Sequence, residues 1–103
     1  MIVLFNFVER RPLGIFRLVA DEKDYIELDY PRDMGSGCHP ICFRNFKEST
    51  WNGRRVVYVG SGPYLFYNSP LTEEEVDKMD GASIQVYIEK VKGELWKLES
   101  SDR

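Results

Sequence analysis

Two runs of alternating apolar and polar residues meet at Asn52-Gly53, within residues 43–59. Asn-Gly between such runs is the strongest short-range indication of a β-hairpin, because both residues tolerate the positive φ angles of a type I′ turn. We therefore predict two antiparallel strands here, with Trp51 exposed at the tip. One face of the first strand carries Cys42, Arg44 and Phe46, and the other carries Phe43, Asn45 and Lys47.

The same period of two predicts further strands toward the N-terminus. Residues 1–8 are apolar on both faces, which is typical of a central strand. Residues 10–14 are predicted to form a turn. An acidic turn at residues 21–24 then joins strands at 15–20 and 25–30 into a second hairpin, and residues 64–67 form a short strand after Gly60-Ser61-Gly62-Pro63.

The C-terminal third begins with a helix predicted near 72–79. Thr72 and Glu75 have the spacing of a capping box, and Leu71 and Val76 stand at the hydrophobic staple positions. After Asp80-Gly81 the residues Ile84, Val86 and Ile88 alternate with polar neighbours. This alternation predicts a strand, a turn at Lys92-Gly93 and a return strand over 94–99 with Trp96 and Leu98 on one face, hence a third hairpin.

These elements predict a mainly β fold of seven or eight short strands with one short helix. The arrangement that we favour is a small antiparallel barrel or half-open roll, with a compact sandwich as the alternative. A chain of 103 residues has room for one core. We therefore expect a single domain over 1–99, a polar tail at 100–103 and a surface loop of about ten residues at 31–40.

Charge is distributed unevenly in a chain whose net charge is only −3. Residues 21–33 and 73–80 each carry −4, whereas residues 41–60 carry +3. The Asn-Gly hairpin is thus the electropositive part of an acidic protein. No apolar run approaches the roughly 20 residues that a membrane helix needs. With two cysteines and no secretory signal, the sequence favours a cytoplasmic protein that makes no membrane contact.

Soft metal ligands cluster in the sequence Cys38-His39-Pro40-Ile41-Cys42. His39 is the sole histidine, so one chain offers three N/S ligands where a structural zinc site needs four. A thiol-dependent site would need a base beside Cys38 or Cys42 and a third group to orient it. The competing interpretation is a turn with Cys42 packed inward at the start of a strand. We predict no metal, no cofactor and no catalytic residue, and keep a metal or thiol site as an alternative.

The strongest functional candidate is the basic aromatic hairpin. Its candidate binding residues are Arg44, Lys47, Trp51, Arg54, Arg55 and Tyr58. Aromatic rings beside guanidinium groups suit single-stranded nucleic acid, although a sequence pI near 5.2 opposes that partner. The same residue types dominate protein interfaces. We therefore rank first a non-enzymatic protein-binding module, of the regulatory or virus-encoded accessory kind or one that self-associates, and second a single-strand nucleic-acid binder.

Overall fold

The computed structural model describes residues 1–31, 40–60 and 62–97. Within these ranges seven strands form one antiparallel sheet, curled into a half-barrel, and two short helices accompany it. The predicted mainly β, half-open architecture is confirmed. Most of the predicted loop at 31–40 and the whole predicted tail at 100–103 lie outside the described residues.

The elements in chain order are β1 Ile2–Asn6, β2 Arg11–Glu22, β3 Tyr25–Asp29, β4 Ile41–Arg44, β5 Lys47–Trp51, β6 Arg54–Val59, β7 Gly62–Asn68, α1 Glu73–Asp77 and α2 Gly81–Leu95. The strand order across the sheet is β4-β3-β2-β1-β7-β6-β5. All pairings are antiparallel.

Strand β2 bends the sheet by pairing with two partners in succession. Its first half pairs with β1 and its second half with β3, with a shift of register in each half. The turn predicted at residues 10–14 is therefore wrong, since β2 begins at Arg11. Leu13 is bulged out of register and Gly14 has a φ of 144°, a conformation that suits glycine. This bulge lets β2 continue where the sequence pattern is interrupted.

The first run of the Asn-Gly hairpin is two strands rather than one. Asn45 has a φ of 53°, which kinks the chain between β4 and β5. As a result β4 pairs with β3 and β5 pairs with β6, so this kinked run supplies both edges of the curled sheet. The predicted faces are wrong beyond the kink, because Phe43 is buried in a core whereas Lys47 is exposed.

Two hydrophobic cores lie on opposite faces of the sheet. Val3 and Phe5 of β1 belong to an outer core beneath α2, whereas Ile2 and Leu4 belong to an inner core inside the curl. The prediction that β1 is apolar on both faces is confirmed. The alternation of its side chains commits neighbouring residues of this central strand to different cores.

Helix α1 confirms the capping signals in the sequence. The backbone N–H of Glu75 donates to the Thr72 hydroxyl, and the Glu75 carboxylate accepts from the Thr72 backbone N–H. Leu71 and Val76 both pack into the outer core. The box satisfies two N–H groups that a helix start leaves without partners.

The predicted C-terminal hairpin is wrong, because residues 81–95 form helix α2. Ile88, Val91 and Leu95 are buried at helical spacing, whereas Val86 is 70% exposed. The Asp80 carboxylate accepts from the Ser83 backbone N–H and caps the helix. The three alternating apolar residues Ile84, Val86 and Ile88 were too few to distinguish the period of two of a strand from the period of 3.6 of a helix.

Candidate functional site

The hairpin that carries the predicted site is present. Trp51 and Arg54 close the β5–β6 ladder, and Asn52 and Gly53 have φ angles of 51° and 77°, as a type I′ turn requires. The six predicted binding residues, however, do not form one surface. They divide among the outer face of β5–β6, the inner face of the curl and the outer face of β4.

Trp51 is half-buried, so its predicted exposure at the hairpin tip is wrong. Its ring lies 5.3 Å from that of Phe7 in an edge-to-face arrangement and stacks on Trp96 at 5.7 Å between centroids. Trp96 in turn meets the Phe5 ring edge-on at 5.4 Å. Trp51 therefore seals the outer core between the sheet and the end of α2.

Arg55 points to the inner side of the curl. Its guanidinium donates to the carboxylates of Asp21 at 3.0 Å and Glu48 at 2.6 Å, and lies 5.5 Å from the Phe66 ring centroid. Desolvation lowers the pKa of Arg55, but the hydrogen bonds to Glu48 and Asp21 outweigh it and hold that pKa above its ordinary value. Arg55 thus connects β6 with β5 and β2, and its guanidinium mainly contacts other residues of the same chain.

Arg44 lies with three other polar side chains on the outer face of β3–β4. Its guanidinium carbon stands 4.6 Å from the centroid of the Tyr25 ring. The Tyr25 hydroxyl donates to the Glu27 carboxylate and lies 3.5 Å from the Cys42 Sγ. These hydrogen bonds, to Cys42 and then to Glu27, raise the pKa of Tyr25, which keeps the phenol protonated.

Cys42 is a free thiol and is exposed, so the predicted inward packing is wrong. Residues 38 and 39 of the predicted metal or thiol cluster lie outside the described residues. Within the part of the chain that is described, no group of three His, Cys, Asp or Glu side chains is placed to hold a metal ion. Tyr25 and Glu27, which no sequence motif indicates, are the neighbours that the fold gives to Cys42.

Lys47 and Tyr58 form an exposed cross-strand pair on the outer face of β5–β6. The two residues are directly opposite in the ladder, and Tyr58 is 45% exposed. Arg54, on the same face, is half-buried, with its guanidinium carbon 5.6 Å from the Tyr67 ring centroid and its Nη1 donating to the Asn52 carbonyl at 3.3 Å. Lys47 and Tyr58 are therefore the more accessible members of this group.

Part of the predicted opposition between acidic and basic segments is satisfied inside the chain. Arg55 of the basic segment 41–60 pairs with Asp21 of the acidic segment 21–33. Two further acids, Asp29 and Glu73, pair instead with Arg17, which lies outside the basic segment, at 3.2 Å and 3.7 Å. Among the described residues, neither Arg44 nor Lys47 takes part in an ion pair. Arg54 also lacks an ion pair within the described residues, but it is half-buried over Tyr67, so the exposed cations of the hairpin are Arg44 and Lys47 on either side of the Asn45 kink.

Comparison with protein-family models, with curated proteins and with solved structures gives no match for this chain. Of the helices in the described ranges, none has the length and apolar character to cross a bilayer.

Proposed function

We propose that this protein is a non-enzymatic binding module that recognises an acidic segment of a partner protein through the kinked run of β4 and β5. The observation that carries this proposal is the exposure of Arg44 and Lys47 on either side of the kink, with the aromatic ring of Tyr58 beside Lys47. Arginine and tyrosine are enriched where protein interfaces gain most of their free energy.

Electrostatics and strand order support a protein partner. The run that carries Arg44 and Lys47 also supplies both outermost strands of the sheet, each of which has one paired strand among the described residues. An incoming chain can pair with the outer side of such a strand. Cations beside such an edge attract an acidic chain and fix its orientation. A single-stranded nucleic acid would need exposed aromatic rings on which its bases can stack. The ring of Trp51, the main candidate for this contact, packs instead against Phe7 and Trp96.

The test is to select binders from a random peptide display library on the immobilised protein. We expect acidic peptides of micromolar affinity that lose about tenfold or more in affinity on Arg44→Glu or Lys47→Glu. Lys90→Glu, on an exposed position of α2, is the matched control and should leave affinity within about twofold.

Three outcomes would overturn the proposal. One is selection of peptides whose affinity ignores Arg44 and Lys47. Another is tight binding of fluorescent single-stranded DNA or RNA at low salt that Lys47→Glu abolishes, which would make nucleic acid the partner. The third is a light-scattering mass above that of one chain which Arg44→Glu returns to the monomer value, because the surface would then be a self-association interface.

A further inference from the structure

The edge of β4 that faces away from β3 opens into a cavity of about 430 Å³. Its wall includes all four residues of β4, together with Leu4, Leu13, Val59 and Tyr64. Only every second residue of a strand points to a given face, so a space that touches four consecutive residues runs along the edge of the strand. None of the described lining residues belongs to β3, which places the cavity on the free edge.

Side chains rather than backbone pairing hold β4 against the rest of the sheet on this side. The Phe43 ring lies 5.3 Å from that of Tyr64 and 5.8 Å from that of Phe66, both on β7. Leu4 of β1, which is fully buried, forms part of the wall. The curled sheet therefore leaves a gap whose floor is apolar and whose rim is a strand edge.

The two outermost strands in the described part of the sheet, β4 and β5, differ in the chemistry of their edges. In β5 the charged residues Lys47 and Glu48 are followed by the exposed Ser49 and Thr50. Charged residues at the edge of a sheet protect it against pairing with a further strand. On β4, Ile41, Cys42 and Phe43 form the edge and a single cation, Arg44, ends it. Among the described residues no strand pairs with this side of β4, which makes it the better of the two edges for an additional strand.

We infer that the free edge of β4 binds an extended peptide segment of the partner protein, added antiparallel to β4. This inference rests on the proposed function and specifies its partner. Backbone hydrogen bonds to β4 supply affinity, and alternate apolar side chains of the peptide enter the cavity, whose volume lies within the range of about 300–1,000 Å³ found for ligand pockets.

The position of Arg44 fixes the chemistry of the peptide's flank. Arg44 is the last residue of β4, so an antiparallel peptide places its N-terminal residues next to this cationic residue. Arg44 forms part of the cavity wall, while its guanidinium stacks on Tyr25 at the outer face of the sheet. The segment recognised is thus acidic at its N-terminal end and alternates apolar and polar residues after it.

The test uses a synthetic nonapeptide with two N-terminal aspartates followed by leucine and valine alternating with threonine. The protein carries Cys38→Ser, which leaves Cys42 as the sole thiol. Because Cys42 is exposed and lines the cavity, bound peptide should slow its alkylation by a maleimide about tenfold or more. Amide exchange of β4, measured by NMR, should slow together with it, while that of β5 should not change.

Two further peptides test the mode of binding. A version with N-terminal lysines should bind about fivefold more weakly at low salt, and Arg44→Glu should reverse that order of preference. A version with a central proline, which lacks a backbone donor, should lose binding to both proteins. Lys90→Glu should leave the order of preference unchanged.

Protection of β5 instead of β4, indifference to proline, or failure of every nonapeptide to protect Cys42 would overturn this inference. If peptides selected by display still depend on Arg44 while Cys42 stays unprotected, the proposed function survives and only the strand-addition mode is wrong. If no displayed peptide depends on Arg44 or Lys47, the proposed function fails first.

Discussion

At the scale of single residues, the fold reassigned side chains that the sequence placed together. Arg54 and Arg55 are neighbours, yet alternation sends Arg54 to the outer face over Tyr67 and Arg55 to the inner side between Asp21 and Glu48. Asp21 lies 34 residues from Arg55 along the chain, and Glu48 lies seven residues away on the neighbouring strand β5. A local charge pattern could show that Arg55 is cationic, but only the curl of the sheet shows what neutralises it.

Asp80 gives a testable pH dependence at this scale. The hydrogen bond from the Ser83 backbone N–H lowers the pKa of Asp80 below its ordinary value of 3.8. A carboxyl group whose pKa is depressed by folding stabilises the native state above the unfolded-state pKa. That stabilisation disappears as the pH falls through the lower pKa of the folded protein.

We therefore expect the difference in unfolding free energy between wild type and Asp80→Asn to shrink as the pH falls from 6 toward 2. Asparagine keeps the capping oxygen but has no charge to lose. Urea denaturation across that pH range measures it. Asp77→Asn, on α1, is the matched control. A difference that is constant with pH would show that the Asp80 carboxylate does not interact preferentially with the helix start.

At the scale of elements, α2 shows how far a short pattern can mislead. The spacing of Ile84, Val86 and Ile88 fits a strand, but the outer core beneath α2 selects Ile88, Val91 and Leu95. The Gly93 that suggested a turn lies within α2, at a position where an added Cβ would meet no atom of the surrounding structure within 4 Å. By contrast, the capping box of α1 is local chemistry, and the sequence alone predicted it correctly.

Ile88→Ala and Val86→Ala should separate helix from strand in solution. Ile88 is 3% exposed, so Ile88→Ala should lower the unfolding free energy by about 2–5 kcal/mol, and the milder Ile88→Val by about 0.5–1.5 kcal/mol. Val86→Ala should change it by no more than about 0.5 kcal/mol. Urea denaturation measures all three. In the predicted hairpin Val86 and Ile88 would share a face, so similar losses at both positions would contradict α2.

At the scale of the whole molecule, the order of the strands implies a gradient of local stability. β1 has a paired strand on each side and a hydrophobic core on each face, whereas β5 has one paired strand and four exposed residues. Amides open most readily where few buried contacts must be broken.

Hydrogen exchange followed by NMR should therefore be slowest in β1 and faster by about a hundredfold or more in β5. β7, which lies between β1 and β6, serves as the internal reference and should resemble β1. Equal protection of β5 and β1 would mean that the β5 edge is covered by another part of the chain or by a second copy.

The sequence by itself determined the features that depend on a few adjacent residues. These are the Asn52-Gly53 turn, the capping box at Thr72 and Glu75, and the two-sided apolar pattern of β1, because φ preferences, local hydrogen bonds and side-chain alternation act within one element. They were sufficient to predict a mainly β, half-open sheet.

Only the tertiary structure decided which surfaces these elements present. The kink at Asn45 sends β4 and β5 to opposite edges of the sheet, and Trp96 at the end of α2 stacks on Trp51. Tyr25 lies next to Arg44 because β3 pairs with β4, although a loop separates these two strands in the sequence. Each of these outcomes depends on contacts between residues distant in sequence. The cavity beside β4 arises in the same way, since its walls come from β1, β2, β4, β6 and β7.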